Sequence, residues 1–171
     1  MAERKPLIVF TPKSLLRSKL ARSPIGAFTT GSFAEVLDDP AVATDGFDRD
    51  RVTRVVLCTG KVAYDALGRR DELGDAGAEV AVVRVEQLYP WPKATIKGIL
   101  AGYPNAEEVV WLQEEPENMG AWSYVHGRLH RMLRDTHTLR HVSRAESASP
   151  ATGSAALHRL EQDDLLNRSV G

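Results

Sequence analysis

Glu114, Glu115 and Glu117 are the residues whose spacing could do chemistry, since neighbouring carboxylates can hold different protonation states for acid–base work. They follow an apolar run, Val109-Val110-Trp111-Leu112, and stand between Trp111 and Trp122. Pro116 cannot extend a central strand, and Asn118 with Gly120 supplies turn chemistry. A buried strand emptying into an acidic, aromatic-flanked loop is how open α/β sheets present a working edge. The same carboxylates would equally pair with Arg or Lys on a partner, or cap a helix opening at Trp122. The blander alternative is a solvated loop between two core tryptophans.

Other reactive side chains are less well placed. His126 and His130 have the spacing of a zinc-binding helix pair, but Gly127 stands where H-E-x-x-H carries its glutamate, and no third ligand is indicated. His137 and His141 straddle a turn and a strand start, and no G-x-S-x-G elbow presents a serine. Gly60-Lys61 invites comparison with a phosphate loop, yet Val55 replaces its first glycine and Val62 its metal-binding Ser or Thr. Cys58, at a strand end, reads as a buried inert thiol rather than an activated one. Asp45, Asp48 and Asp50 lack the chelating glutamate of a calcium loop. The residues thus assign no catalytic, cofactor or metal ligand.

These side chains need a scaffold, and the hydrophobic pattern supplies one. Strands are expected at 6–10, 54–58, 79–88, 108–114 and 139–144, with 33–37 either a strand or a helical turn. Several are apolar without alternation, as central parallel strands require. Helices are expected at about 13–20, 62–72, 92–101, 122–135 and 154–167, the last burying Leu157, Leu160, Leu165 and Leu166. This alternation implies a doubly wound, mostly parallel five-stranded α/β sheet flanked by helices.

At 171 residues the chain suits one domain over 1–171. A basic arm at about 1–22 carries Arg4, Lys5, Lys13, Arg17, Lys19 and Arg22 against Glu3. A net charge of −1 gives no argument for nucleic acid or anionic membrane as a partner. One cysteine fits a reducing compartment, and no apolar run approaches a membrane span or a signal-peptide core. The expectation is a cytoplasmic protein.

Five blocks in register resemble one family. They are residues 5–17 (Lys5-Pro6 to Leu16-Arg17), Gly31-Ser32-Phe33 with residues 54–65, residues 82–90 ending Glu86-Gln87-Leu88-Tyr89-Pro90, residues 113–122, and Ser147-Ala148-Ser149-Pro150-Ala151-Thr152-Gly153. Together they are similar to the C-terminal, transketolase-C-like domain of the decarboxylating component of 2-oxoglutarate dehydrogenase, of actinobacterial type. The resemblance implies a parent enzyme that uses thiamine diphosphate and Mg2+ to decarboxylate 2-oxoglutarate and succinylate the lipoyl group of its acyltransferase partner, within the tricarboxylic acid cycle. It implies that cofactor ligands and catalytic residues lie in upstream domains. This domain would then be a non-catalytic part, packed against those domains and the dimer mate, either as a fragment or as a split subunit.

The resemblance also places Gln87 and Lys93 at an allosteric acyl-CoA contact, with the family's basic run reduced here to Lys93 followed by Ala94 and Thr95. Glu115, Glu117 and Trp122 are the expected interface residues. The alternative is a stand-alone regulatory or binding module that senses an acyl-CoA.

Overall fold

A computed structural model of the chain describes residues 5, 6 and 8–171. Two compact units are present, residues 1–32 and 33–171.

The first unit holds a 3-10 turn at Lys13–Arg17 and a short helix, α1 (Gly26–Thr29), neither with a buried residue. The strand expected at 6–10 does not form: residues 5, 6 and 8–10 are irregular and exposed, Ile8 at 77% and Phe10 at 96%. Among the described residues no strand pairs with 8–10, so apolar content alone does not make a strand. The helix expected over 13–20 shrinks to one turn, with Leu16 and Leu20 exposed. Leu7 of that strand and Arg4 of the basic arm lie outside the described residues.

The second unit is a five-stranded sheet in the order β1-β3-β2-β4-β5. Its strands are β1 (Val36–Leu37), β2 (Arg54–Cys58), β3 (Val80–Val85), β4 (Glu108–Pro116) and β5 (Thr138–Arg144). All neighbours run parallel except β1, which is antiparallel to β3. The fifth strand is therefore Val36–Leu37, in place of the one expected near the amino terminus. Asp39 fastens it: its fully buried carboxylate accepts from Val82 N at 2.7 Å and Ala41 N at 2.8 Å and pairs with Arg70.

Successive strand residues alternate between two packed faces. Val55, Leu57, Ala81, Val83, Val109 and Trp111 meet α3 (Lys93–Ala101) and α4 (Trp122–Leu133). Val56, Cys58, Val82, Val110 and Leu112 meet α2 (Val62–Glu72) and α5 (Ala155–Ser169). Helices cover both faces, which is why the central strands read as continuous apolar runs. The chain is an α/β doubly wound, mostly parallel sheet, as its pattern predicts.

Two boundaries moved for local reasons. β3 ends at Val85 because Glu86 N and Gln87 N turn to the Glu35 carbonyl at 2.9 and 3.0 Å. On α5 the buried positions are Gln162, Leu165, Leu166 and Ser169, at helical spacing, so Leu157 and Leu160 fall off that stripe and are 47% and 68% exposed. No helix among the described residues is long and apolar enough to cross a membrane.

Candidate interface at the carboxyl edge of the sheet

The loops that follow β3, β4 and β5 all emerge at one edge, and Gln87, Lys93, Glu114, Glu115, Glu117 and Trp122 lie in the first two of them or at the ends of the strands and helices they join. Chain direction across the sheet reverses between β2 and β4, the place where open α/β sheets form a ligand crevice. Here that position is filled from within. Lys61 follows β2, and its ammonium pairs with Asp65 at 2.5 Å and Glu114 at 3.5 Å. Burial works to lower the Lys61 pKa, but the two carboxylates overcome it and hold the pKa above its ordinary value.

The pairing continues sideways. Gln162 Nε2 donates to Asp65 at 2.9 Å, while its Oε1 accepts from Arg144 Nη2 at 3.0 Å. Arg144 Nη2 also donates to His158 Nδ1 at 3.0 Å, and its Nε lies 3.5 Å from Glu161. Glu161 in turn accepts from the Thr152 hydroxyl. A continuous polar chain thus joins the loop after β5 to the end of β4. Glu114, one of the three carboxylates, is spent on it rather than pointing outward.

The loop after β4 is organised by a residue that sequence reasoning passed over. Gln113 is 1% exposed. Its Oε1 accepts from Trp111 Nε1 at 3.2 Å and from Trp122 N at 3.0 Å, while its Nε2 donates to the carbonyls of Pro116 at 3.1 Å and Met119 at 2.8 Å. Ala121 offers α4 no side-chain cap, so Gln113 supplies the missing acceptor from the neighbouring strand. Gly120, at φ +67°, sits so close that a Cβ would lie 3.0 Å from Gln113 Nε2. The available signal was a polar side chain inside an apolar run, directly before a proline turn.

Trp122 is half-buried. Its ring stacks on His141 at 3.9 Å and 9° between planes, and His126 leans on it at 4.7 Å. Burial, then Arg168 and His126, push the His141 pKa down to about 4. Glu117 and Trp122 line one open cleft with His141 and Arg168, whereas Glu115 is not among its walls. Neither Glu115 nor Glu117 forms an ion pair among the described residues.

Gln87 lies in the loop after β3 and Lys93 begins α3 at its far end, with Tyr89-Pro90 cis between them. Gln87 Nε2 is committed to Pro90 O at 3.0 Å and Glu35 Oε1 at 3.3 Å. The second oxygen of Glu35 accepts from Thr95 at 3.1 Å, which sets a carboxylate beside any incoming phosphate. Cys58 is fully buried and burial pushes its thiol up to about 12, so the inert reading of that residue stands. Among the described residues, no group of three or more His, Cys, Asp or Glu is arranged to hold a metal ion.

Residues 22–170 match the family model described as 2-oxoglutarate dehydrogenase C-terminal. The chain belongs to this family. It is 41% identical over 171 residues to the 2-oxoglutarate dehydrogenase E1 component of an Exiguobacterium species, with 98% of this chain covering 17% of that protein. The E1 component of Coxiella burnetii is 42% identical, with 98% of this chain on 18% of it. The multifunctional 2-oxoglutarate metabolism enzyme of a Mycobacterium species is also 42% identical, with 97% of this chain on 13% of it. The chain therefore spans less than a fifth of the length of these relatives. Among solved structures, a split-gene transketolase in an inactive β4 tetramer overlaps 68% of this chain and 39% of its own at a TM-score of 0.48 and 14% identity, too loose a likeness to carry an argument.

Proposed function

We propose that this chain is the non-catalytic C-terminal assembly domain, or split subunit, of a thiamine-diphosphate-dependent 2-oxoglutarate dehydrogenase. In this reading it works in the cytoplasm, packed against the upstream domains of the same enzyme and its dimer mate. The parent enzyme decarboxylates 2-oxoglutarate and passes the succinyl group to the lipoyl arm of its acyltransferase.

The observation that carries the reading is an alignment of 98% of this chain with only 17% of an E1 component. The carboxyl edge supports it physically. Donors that could cradle a magnesium diphosphate are poorly matched there: Lys61 is neutralised by Asp65 and Glu114, and Arg144 faces Glu161. The residues present do not fit thiamine diphosphate with Mg2+, and this reading assigns that group to the upstream domains. Glu115 and Glu117, without ion pairs of their own, are free to meet basic residues of that partner, while Gln113 and the Trp122–His141 stack fix the loop that carries them. An acyl-CoA contact through Gln87 and Lys93 is less well supported, because Glu35 sets its charge against phosphate binding.

Co-expression with the upstream part of an E1 component tests the proposal. The wild-type chain is expected to co-purify and to complete 2-oxoglutarate-dependent succinyl transfer. Alone it should bind no thiamine diphosphate. A double variant, E115Q/E117Q, should fold normally but be captured less well, the deficit shrinking at high salt as screening removes the charge term. Decarboxylation by the chain alone would overturn the assignment. Capture of the double variant equal to wild type at every salt concentration would remove the loop from the interface. Acetyl-CoA binding tighter than about 10 μM would favour the sensing module instead.

A further inference from the structure

A separate hollow of about 370 Å³ opens at the amino-terminal edge of the sheet, lined by His137 but by none of the carboxyl-edge residues described above. That volume suits a small organic ligand. Its floor belongs to the core: Leu100 from the end of α3, Tyr103 and Ala106 from the turn after it, and Leu133 from the last turn of α4. Ala101, exposed on α3, stands at its wall.

Charge decides what can enter. Both α3 and α4 end at this edge, and the carboxyl ends of helices carry partial negative charge that disfavours anions. Lys97, whose ammonium has no carboxylate partner among the described residues, also lines the hollow and disfavours cations. A neutral molecule avoids both penalties. Of the other polar side chains on its wall, the Tyr103 hydroxyl donates to Asp38 and the Thr136 hydroxyl to the Leu133 carbonyl, which leaves His137. Its Nδ1 is 2.8 Å from the Thr136 hydroxyl, which reaches the Leu133 carbonyl at 3.2 Å. That bond ties the ring on one side and leaves Nε2 as the nitrogen for a ligand. Burial lowers the His137 pKa and so favours the uncharged ring at neutral pH. With the Thr136 hydroxyl donating to the Leu133 carbonyl, Nδ1 donates to that hydroxyl and Nε2 is left to accept, so a ligand hydroxyl would donate to it.

We infer that this hollow, bounded by Leu100, Tyr103, Leu133, Lys97 and His137, is a binding site for a small neutral aromatic or aliphatic alcohol. The apolar floor would take the hydrocarbon part and His137 the hydroxyl. The site is independent of the assembly role proposed above, so the failure of either leaves the other standing.

Phenol is the simplest probe, titrated into the 171-residue chain and followed by backbone amide NMR. Saturable shifts are expected at residues 100–106 and 132–137, with a dissociation constant near or below about 1 mM. Benzoate, benzylamine and toluene should each bind at least about threefold more weakly, reflecting the helix ends, Lys97 and the unused His137 respectively. Ala101→Leu, made at an exposed helix position, should block the hollow and abolish the shifts while the melting temperature holds. His137→Phe should remove the preference for phenol over toluene without removing toluene binding. Shifts centred elsewhere, no saturation with phenol, equal binding of benzoate, or unchanged binding by the Ala101→Leu protein would each overturn the assignment.

Discussion

Replacing Gln113 by leucine asks whether one buried amide holds the carboxyl-edge loop together. Leucine is similar in size, so the change removes four hydrogen bonds while leaving little void. The decisive loss is at Trp111, whose ring is fully buried and whose Nε1 donates only to Gln113 Oε1 at 3.2 Å. A buried donor left without an acceptor costs about 1–3 kcal/mol. The Trp122 amide and the Met119 carbonyl lie nearer solvent and can recruit water, so each adds about 0–1 kcal/mol. The sum is a loss of roughly 1–5 kcal/mol, a large share of the 5–15 kcal/mol typical of a domain. Urea unfolding of both proteins measures it directly. Amide hydrogen exchange at Gly120 and Trp122 should accelerate beyond what the global loss explains, because the loop has lost its template. A stability change under about 0.5 kcal/mol, with exchange at those amides unaltered, would refute the claim that Gln113 organises the loop.

Three further outcomes are expected. Asp39→Ala strips the partner from Arg70 and the acceptor from Val82 N, and should cost about 3 kcal/mol in chemical denaturation, at the low end for a broken buried pair because Asp71 stays 3.0 Å from Arg70. His141 has a folded-state pKa of about 4 against an unfolded value near 6.5, so the unfolded chain takes up its proton first and stability falls as pH drops between those values. Allowing for the partial exposure of the ring the effect is about 1–2 kcal/mol, and His141→Asn should flatten that stretch of a stability-against-pH curve. Trp122→Ala should cost about 1–3 kcal/mol in the same unfolding assay, less than for a fully buried ring, and should also weaken the acid sensitivity by opening His141 to water.

The central sheet was legible because its signal is local: Val55-Val56-Leu57 and Val82-Val83 can only be two-sided buried strands. What failed was context. Residues 6–10 are as apolar as β2, but a strand needs a neighbour to receive its hydrogen bonds, and a single chain segment does not announce one. At 33–37 the sequence left strand and helical turn open, and the strand Val36–Leu37 is made definite by Asp39, whose contacts with Arg70 and Val82 come from 31 and 43 positions away. Glu115, Glu117 and Trp122 stand at the end of β4, in the loop after it and at the start of α4, while Glu114 beside them turns inward to Lys61, a pairing across 53 positions. The polar chain from Thr152 to Glu114 escaped notice for the same reason, since each of its members looks like ordinary surface charge until the topology brings them together.

The short strand Val36–Leu37 bears on how copies of this chain can associate. By pairing with Val85 and Arg84 it makes one edge of the sheet of residues 33–171 only two residues long, whereas the other edge, β5, runs from Thr138 to Arg144, and Arg168 already reaches its Ser143 carbonyl at 2.7 Å. A sheet with two bare flanks can recruit neighbours on both sides and grow into a ribbon. A sheet with one edge cut to two residues has a single long flank for such a junction: two copies that met along β5 would form a twofold pair with only the short β1 edges left at its ends. Two residues of strand, tied down by one aspartate, therefore leave little edge for sheet-to-sheet growth on that side of this unit.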